Sequence, residues 1–100
     1  MEAIGLFVTL EARSGKEADV EAFLKSAQPL AQDEKGTLKW YAIKLGPGRL
    51  GIFDTFAADA GRDAHLSGKV AEALMAKAPE LLSEPPSIQK VDLLAVKAAK

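Results

Sequence analysis

The sequence predicts an α+β fold with the element order β-α-β-β-α-β. Three observations carry this: an alternating apolar run near the N-terminus, two stretches of helical periodicity, and a Gly-Pro-Gly turn between two strand-like runs. Ile4, Leu6, Val8 and Leu10 alternate with Ala3, Gly5, Phe7 and Thr9, the two-residue period of a strand. Both of its faces are apolar, so the strand is expected to be covered on both sides.

Ser14-Gly15-Lys16-Glu17 has the spacing of a capping box and predicts a helix start. Val20, Phe23, Leu24, Ala27, Leu30 and Ala31 then recur at helical spacing as one buried stripe. Pro29 is expected to kink or end that helix near Gln28, because it removes a backbone donor and clashes with the preceding turn. Gly36 opens a second strand over Thr37 to Leu45, which holds the only tryptophan and the only tyrosine. Gly46-Pro47-Gly48-Arg49 reads as a hairpin turn leading to a third strand, Leu50 to Phe56.

Helical segments follow from about Ala58 to Leu82, weakened by Gly61 and Gly68 and expected to break near Ser67-Gly68. Val70, Ala71, Leu74, Ala78, Leu81 and Leu82 form the buried face of the second piece, and Pro79 is expected to start a new short turn. Pro85-Pro86 ends the helical region, and Ile88 to Lys97 is the last strand, with a frayed Lys97–Lys100 tail. This order is ferredoxin-like: an antiparallel sheet with both helical regions on one face. The other face, with Phe7, Thr9, Tyr41, Ile43 and Phe53 or their alternates, is too apolar for water. A second copy of the sheet is its simplest cover, giving a homodimer of the dimeric α+β barrel type. Leu93, Leu94, Ala95 and Val96 in direct succession suggest that the last strand takes part.

Composition bounds the function. One hundred residues with 48% hydrophobic and 27% charged content describe a single globular domain, 1–100, rather than a disordered chain. A formal net charge of -1 gives no reason to expect nucleic acid or an anionic membrane as partner. The absence of cysteine excludes disulfides, Cys-based zinc sites, iron–sulfur clusters and thiol nucleophiles, and it is compatible with the cytoplasm. The N-terminal apolar run has no positive charge ahead of it and is far shorter than the roughly 20 residues a bilayer requires, so no membrane association is expected. With a single histidine, a facial triad for a transition metal is also out of reach, and no metal or other cofactor is expected.

Ser14-Gly15-Lys16 fails as a phosphate loop, since Leu10 stands where the first glycine belongs and Glu17 follows the lysine. Four candidates remain for chemistry: Trp40, Tyr41, Asp54 and His65. Trp40 and Tyr41 are adjacent in a strand and must face opposite sides of the sheet, one toward the helices and one toward the dimer face. Either ring could line an apolar pocket while offering a donor, or simply pack. His65, on a helix, is of a type whose ordinary pKa lies near neutrality, which suits either acid–base work or a buried hydrogen-bonding role.

The stretch from Ile52 to Leu66 resembles a hallmark of the antibiotic-biosynthesis-monooxygenase family: an acid in the third strand, an aromatic two positions on, and a histidine eleven positions after the acid. Here these are Asp54, Phe56 and His65. The shorter Asp54 stands where Glu is more usual. Glu34-Lys35-Gly36-Thr37-Leu38-Lys39-Trp40 resembles the family's E-P-G-x-x-x-Y run into the second strand, with Lys35 for the proline and Trp40 for the tyrosine.

The resemblance implies a cofactor-independent monooxygenase acting on a small aromatic quinol or phenol. In it His65 would be the base, Trp40 a donor or stacking wall, and Asp54 the group that orients His65. Phe7, Tyr41 and Phe56 would line the substrate pocket. The haem-degrading branch of the family has an Asn in the first strand and a Trp closing the third, where this chain has Phe7, Thr9 and Phe56. The competing classes are a non-enzymatic dimeric ligand-binding or structural protein, and an isomerase of the muconolactone type, since fold does not fix function.

Overall fold

The computed structural model describes residues 1–97. Its elements are β1 (Ile4–Glu11), α1 (Glu17–Gln32), β2 (Thr37–Gly46), β3 (Arg49–Phe56), α2 (Asp59–Leu66), α3 (Lys69–Leu81) and β4 (Ser87–Asp92). The four strands form one sheet in the order β2-β3-β1-β4, with every neighbouring pair antiparallel. This is the ferredoxin-like α+β architecture. The last three residues, 98–100, where the sequence suggests a frayed tail, lie outside the described residues.

Strand alternation sorts the side chains into two faces. Leu6, Val8 and Leu10 of β1 and Leu50, Ile52, Asp54 and Phe56 of β3 point to the helices, and all are buried. Val8, Leu10, Leu50 and Ile52 meet Val20 and Leu24 of α1 and Leu74, Ala78 and Leu81 of α3 in the main core, with Ala27, Ala31 and Val70 forming a second cluster; Trp40 packs against both. Burying such side chains contributes about 1.5–3 kcal/mol each, which is why their helical and alternating periods were legible in the sequence. On the opposite face, Tyr41, Phe53, Phe7 and Gln89 lie in one row across the sheet. Tyr41 and Leu45 remain 48% and 42% exposed there, so among the described residues no element covers this apolar face.

Four local expectations are corrected. The capping box does not form: Gly15 turns the chain with a φ of 83°, Lys16 takes the N-cap position, and the helix begins only at Glu17. Pro29 does not end α1, which runs on to Gln32; the Asp33 amide still bonds the Pro29 carbonyl at 3.3 Å. The burial of Ala27 and Ala31 on either side of Pro29 outweighs the single backbone bond that proline removes from the last turns. Pro79 likewise sits inside α3, where its carbonyl accepts both Nε and Nη2 of Arg13 at 3.1 and 2.9 Å. The last strand stops at Asp92 rather than Lys97, because its ladder on β1 ends at the Ile4–Asp92 pair. Leu94 beyond it is 98% exposed.

The hairpin turns at Pro47-Gly48, with Gly48 at a φ of 71°, the sign a type II corner demands of its second residue. The helical region breaks at Ser67-Gly68, as expected from the sequence. Gly61 has a different purpose from the weakening it suggests. A Cβ there would stand 2.8 Å from the Gly36 carbonyl oxygen, and one on Gly36 would stand 2.9 Å from the Gly61 Cα. The two glycines let α2 lie directly on the α1–β2 loop. Gly61→Ala should therefore lower Tm by about 4 °C or more: overpacking of this kind costs about 1–3 kcal/mol, against up to about 1 kcal/mol gained in helix propensity. An unchanged or raised melting temperature would contradict that contact.

Among the described residues no helix is long and apolar enough to cross a membrane.

Candidate functional site

The glycine contact brings the end of α1, the start of β2 and the α2–α3 junction together at one end of the sheet. There His65, 7% exposed, is held between two carboxylates from different elements. Its Nδ1 lies 2.5 Å from Glu34 Oε1, in the α1–β2 loop. Its Nε2 lies 2.9 Å from Asp54 Oδ2, in β3, as an ionic contact rather than a well-aligned hydrogen bond. Asp54 is fully buried, and the Phe56 ring two residues on sits 5.5 Å from the imidazole, centre to centre. Thr37 Oγ1 donates to Glu34 Oε1 at 2.7 Å and fixes that carboxylate from β2.

Burial alone would pull the histidine's pKa down, since it penalises the charged ring. Bonding to Asp54 and Glu34, and the charge of each, overcomes it, and the pKa rises above the ordinary value. An imidazolium with both N–H groups facing carboxylates is the form this geometry selects. Asp54 and Glu34 approach opposite ring nitrogens, and among the described residues no group of acidic and histidine side chains is placed to hold a metal ion.

His65 also forms part of the wall of a cleft of about 450 Å³. One side of the cleft is Leu30 and residues 33–37; the other is Gly61, Ala64, His65, Gly68 and Lys69. Gly68 leaves room for the inner end of Glu34: a Cβ there would come within 3.0 Å of Oε2, an oxygen that is buried without a partner.

The sequence candidates divide. Asp54, Phe56 and His65 come together. Trp40 faces the helices, directly across the ladder from Asp54, and its Nε1 is buried without a partner. Its neighbouring crevice, of about 90 Å³ between Gln28, Gln32 and Thr37, shares only Thr37 with the wall of the His65 cleft. Phe7 and Tyr41 do not join the site. Both pair across the sheet with Phe53, on the face away from the helices. Phe56 is wholly buried against His65 and is not part of the wall of the His65 cleft.

Glu34 gained no role from the sequence, because no spacing rule links position 34 to position 65. Its only signal was its place in the Glu34-Lys35-Gly36 run. Arg62 was also missed. It is buried, with Nη1 donating to the Gly5 and Val91 carbonyls at 3.2 and 3.4 Å and Nη2 to Asp59 Oδ1 at 3.2 Å. It ties α2 to β1 and β4 from beneath and holds the His65-bearing helix on the sheet.

No family model and no curated protein matches the chain. Among solved structures, NE2512 of Nitrosomonas europaea, a protein of unknown function, is 55% identical over 100% of this chain and 97% of its own, with a TM-score of 0.97. The chain belongs to the NE2512 family. Beyond that family, its fold is shared by a candidate antibiotic biosynthesis monooxygenase of Nitrosomonas europaea (TM-score 0.82, 12% identity, 92% of this chain and 99% of that one). A second such candidate, from Caulobacter crescentus CB15, has a TM-score of 0.76 at 21% identity, over 94% of this chain and 92% of its own. At those identities the likeness is one of fold. It shows that the NE2512-family chain shares their ferredoxin-like fold.

Proposed function

We propose that the chain is a cofactor-independent monooxygenase of a small aromatic quinol or phenol, bound in the cleft beside α2. The observation that supports this most is a histidine ring, buried between two carboxylate side chains, in the wall of a cleft large enough for such a ligand. The electron-rich ring must lose a hydroxyl proton before its anion can pass an electron to dioxygen. For a hydroquinone, one oxygen atom then enters the ring, the other leaves as water, and the substrate supplies all four electrons.

The geometry shifts the division of labour from the sequence expectation. A ring whose two nitrogens both face carboxylates is not a free base. His65 instead supplies positive charge where the phenolate develops, and Glu34, which borders the cleft, accepts the proton. Asp54 holds the ring from the buried side. Oxygen uptake with simple hydroquinones in metal-free buffer tests the activity: uptake that scales with enzyme and yields hydroxyquinone supports it, and none across a panel of quinols and phenols defeats it.

A second reading is favoured by one observation: with its ring 7% exposed and both nitrogens engaged, His65 has the surroundings of a structural tie between β3, α2 and the α1–β2 loop. The chain would then be a ligand-binding or structural protein on the same scaffold.

We also propose a homodimer formed through the uncovered sheet face, centred on Phe7, Tyr41 and Phe53. Light scattering at micromolar concentration should give about twice the 10.6 kDa chain mass. A monomer at that concentration would exclude it.

A further inference from the structure

The two walls of the cleft come from separate pieces of chain, and one side-chain contact spans them. Leu30 and residues 33–37 form the first wall; Gly61, Ala64, His65, Gly68 and Lys69 form the second. Among the described residues the His65–Glu34 contact is the only side-chain hydrogen bond or ion pair from one wall to the other. Gly36 against Gly61 adds a van der Waals touch, with no polar bond between them.

We propose that the His65–Glu34 contact is a proton-operated latch on the cleft, closed while the imidazole carries both ring protons and released at the Glu34 side when it loses one. A neutral imidazole has a single N–H and can serve one carboxylate only. The other would then face a ring lone pair in a buried place, which charge does not tolerate. The two carboxylates are not equivalent. Asp54 is wholly buried in the middle of β3 and has no route to water. Glu34 stands in a loop at the cleft edge with 17% of its side chain exposed, so a rotation takes it into solvent.

The remaining surroundings do not compete. Phe56 of β3 and Thr37 of β2 are neutral, and Arg62 of α2 is directed to the Gly5 and Val91 carbonyls. Asp33, Lys35 and Lys69 line the cleft farther out. Releasing the latch frees residues 33–37 from α2 and widens the way in. A quinol's proton, taken up by Glu34 and passed on to His65 Nδ1, would close it again, so substrate deprotonation and cleft closure become one event. That coupling rests on the cleft being the substrate site, whereas the latch itself does not.

Amide hydrogen exchange on the substrate-free protein, corrected for the intrinsic pH dependence of exchange, tests it. Between pH 6 and pH 9 the protection of 33–37 and 61–69 should fall by roughly fivefold or more, the lower end of couplings between linked sites, while β1 and β3 stay constant. Glu34→Gln, which removes the charge conflict, should abolish that pH dependence, as should His65→Gln. Constant protection in the wild-type protein overturns the latch whether or not the variants fold, and so does a Glu34→Gln variant with the wild-type pH profile. Neither readout involves turnover, so failure of the latch is distinguishable from failure of the oxygenase reading.

Discussion

Asp54→Ala should destabilise the protein by about 3–5 kcal/mol, the cost of stripping one partner from a buried charge. Asp54 is wholly buried, and His65 is 7% exposed with Nε2 2.9 Å from the carboxylate. Without it the imidazolium loses one counter-charge and gains no water. The methyl group also leaves a hole beside Phe56 and Leu6, the cross-strand neighbour of Asp54. For a domain of this size each kcal/mol lowers Tm by about 4–8 °C, so the expected drop is more than about 10 °C. The companion measurement is the double variant Asp54→Asn with His65→Gln. It removes both charges and keeps the volume, and it should recover much of the loss, because the penalty lies in the unpaired partner rather than in the absent bond. A single variant as stable as the wild type would show that the two groups are not coupled.

His65→Ala should lower turnover of a quinol by roughly 10²–10⁴-fold, the usual worth of a positioned proton-handling group. Two effects combine: the phenolate loses its adjacent positive charge, and Glu34 loses the partner that holds it at the cleft. His65→Gln retains the side-chain length and a donor but no charge, so it should be better folded than Ala and similarly slow. If turnover survives in either variant while Tm falls, His65 is a tie between elements and the second reading holds.

The fold was legible because its signals are repeated many times. Alternation in β1 and β3 and the stripes of α1 and α3 each involve several side chains whose burial outweighs local exceptions. The exceptions were single residues. Pro29, Pro79 and Ser14 carry strong local preferences, yet each is outvoted by the packing of its neighbours. The end of β4 depended on where β1 runs out, which is a property of the partner strand and not of residues 93–97. At the site, Asp54, Phe56 and His65 were picked out as a set by their resemblance to the family's acid–aromatic–histidine run, and the strand and the helix after it do return to the same end of the sheet. Glu34 and Arg62 were not, because their partners lie 31 and 57 residues away and only the tertiary fold brings them near. The sides taken by Phe7 and Tyr41 followed from register alone, which a sequence with two apolar faces leaves open.

The most direct test is a proton NMR titration of the imidazole, which is unambiguous because the chain has one histidine. With Asp54 and Glu34 overcoming the effect of burial, its midpoint should lie above the ordinary value of 6.5. The stability these contacts confer is then complete below about pH 6.5 and is lost as the pH rises through the raised native midpoint. A ring that titrates at or below 6.5, with stability flat across that range, would mean that burial prevails and the histidine is neutral. It would contradict the charged carboxylate–imidazolium–carboxylate arrangement from which the proposed chemistry follows.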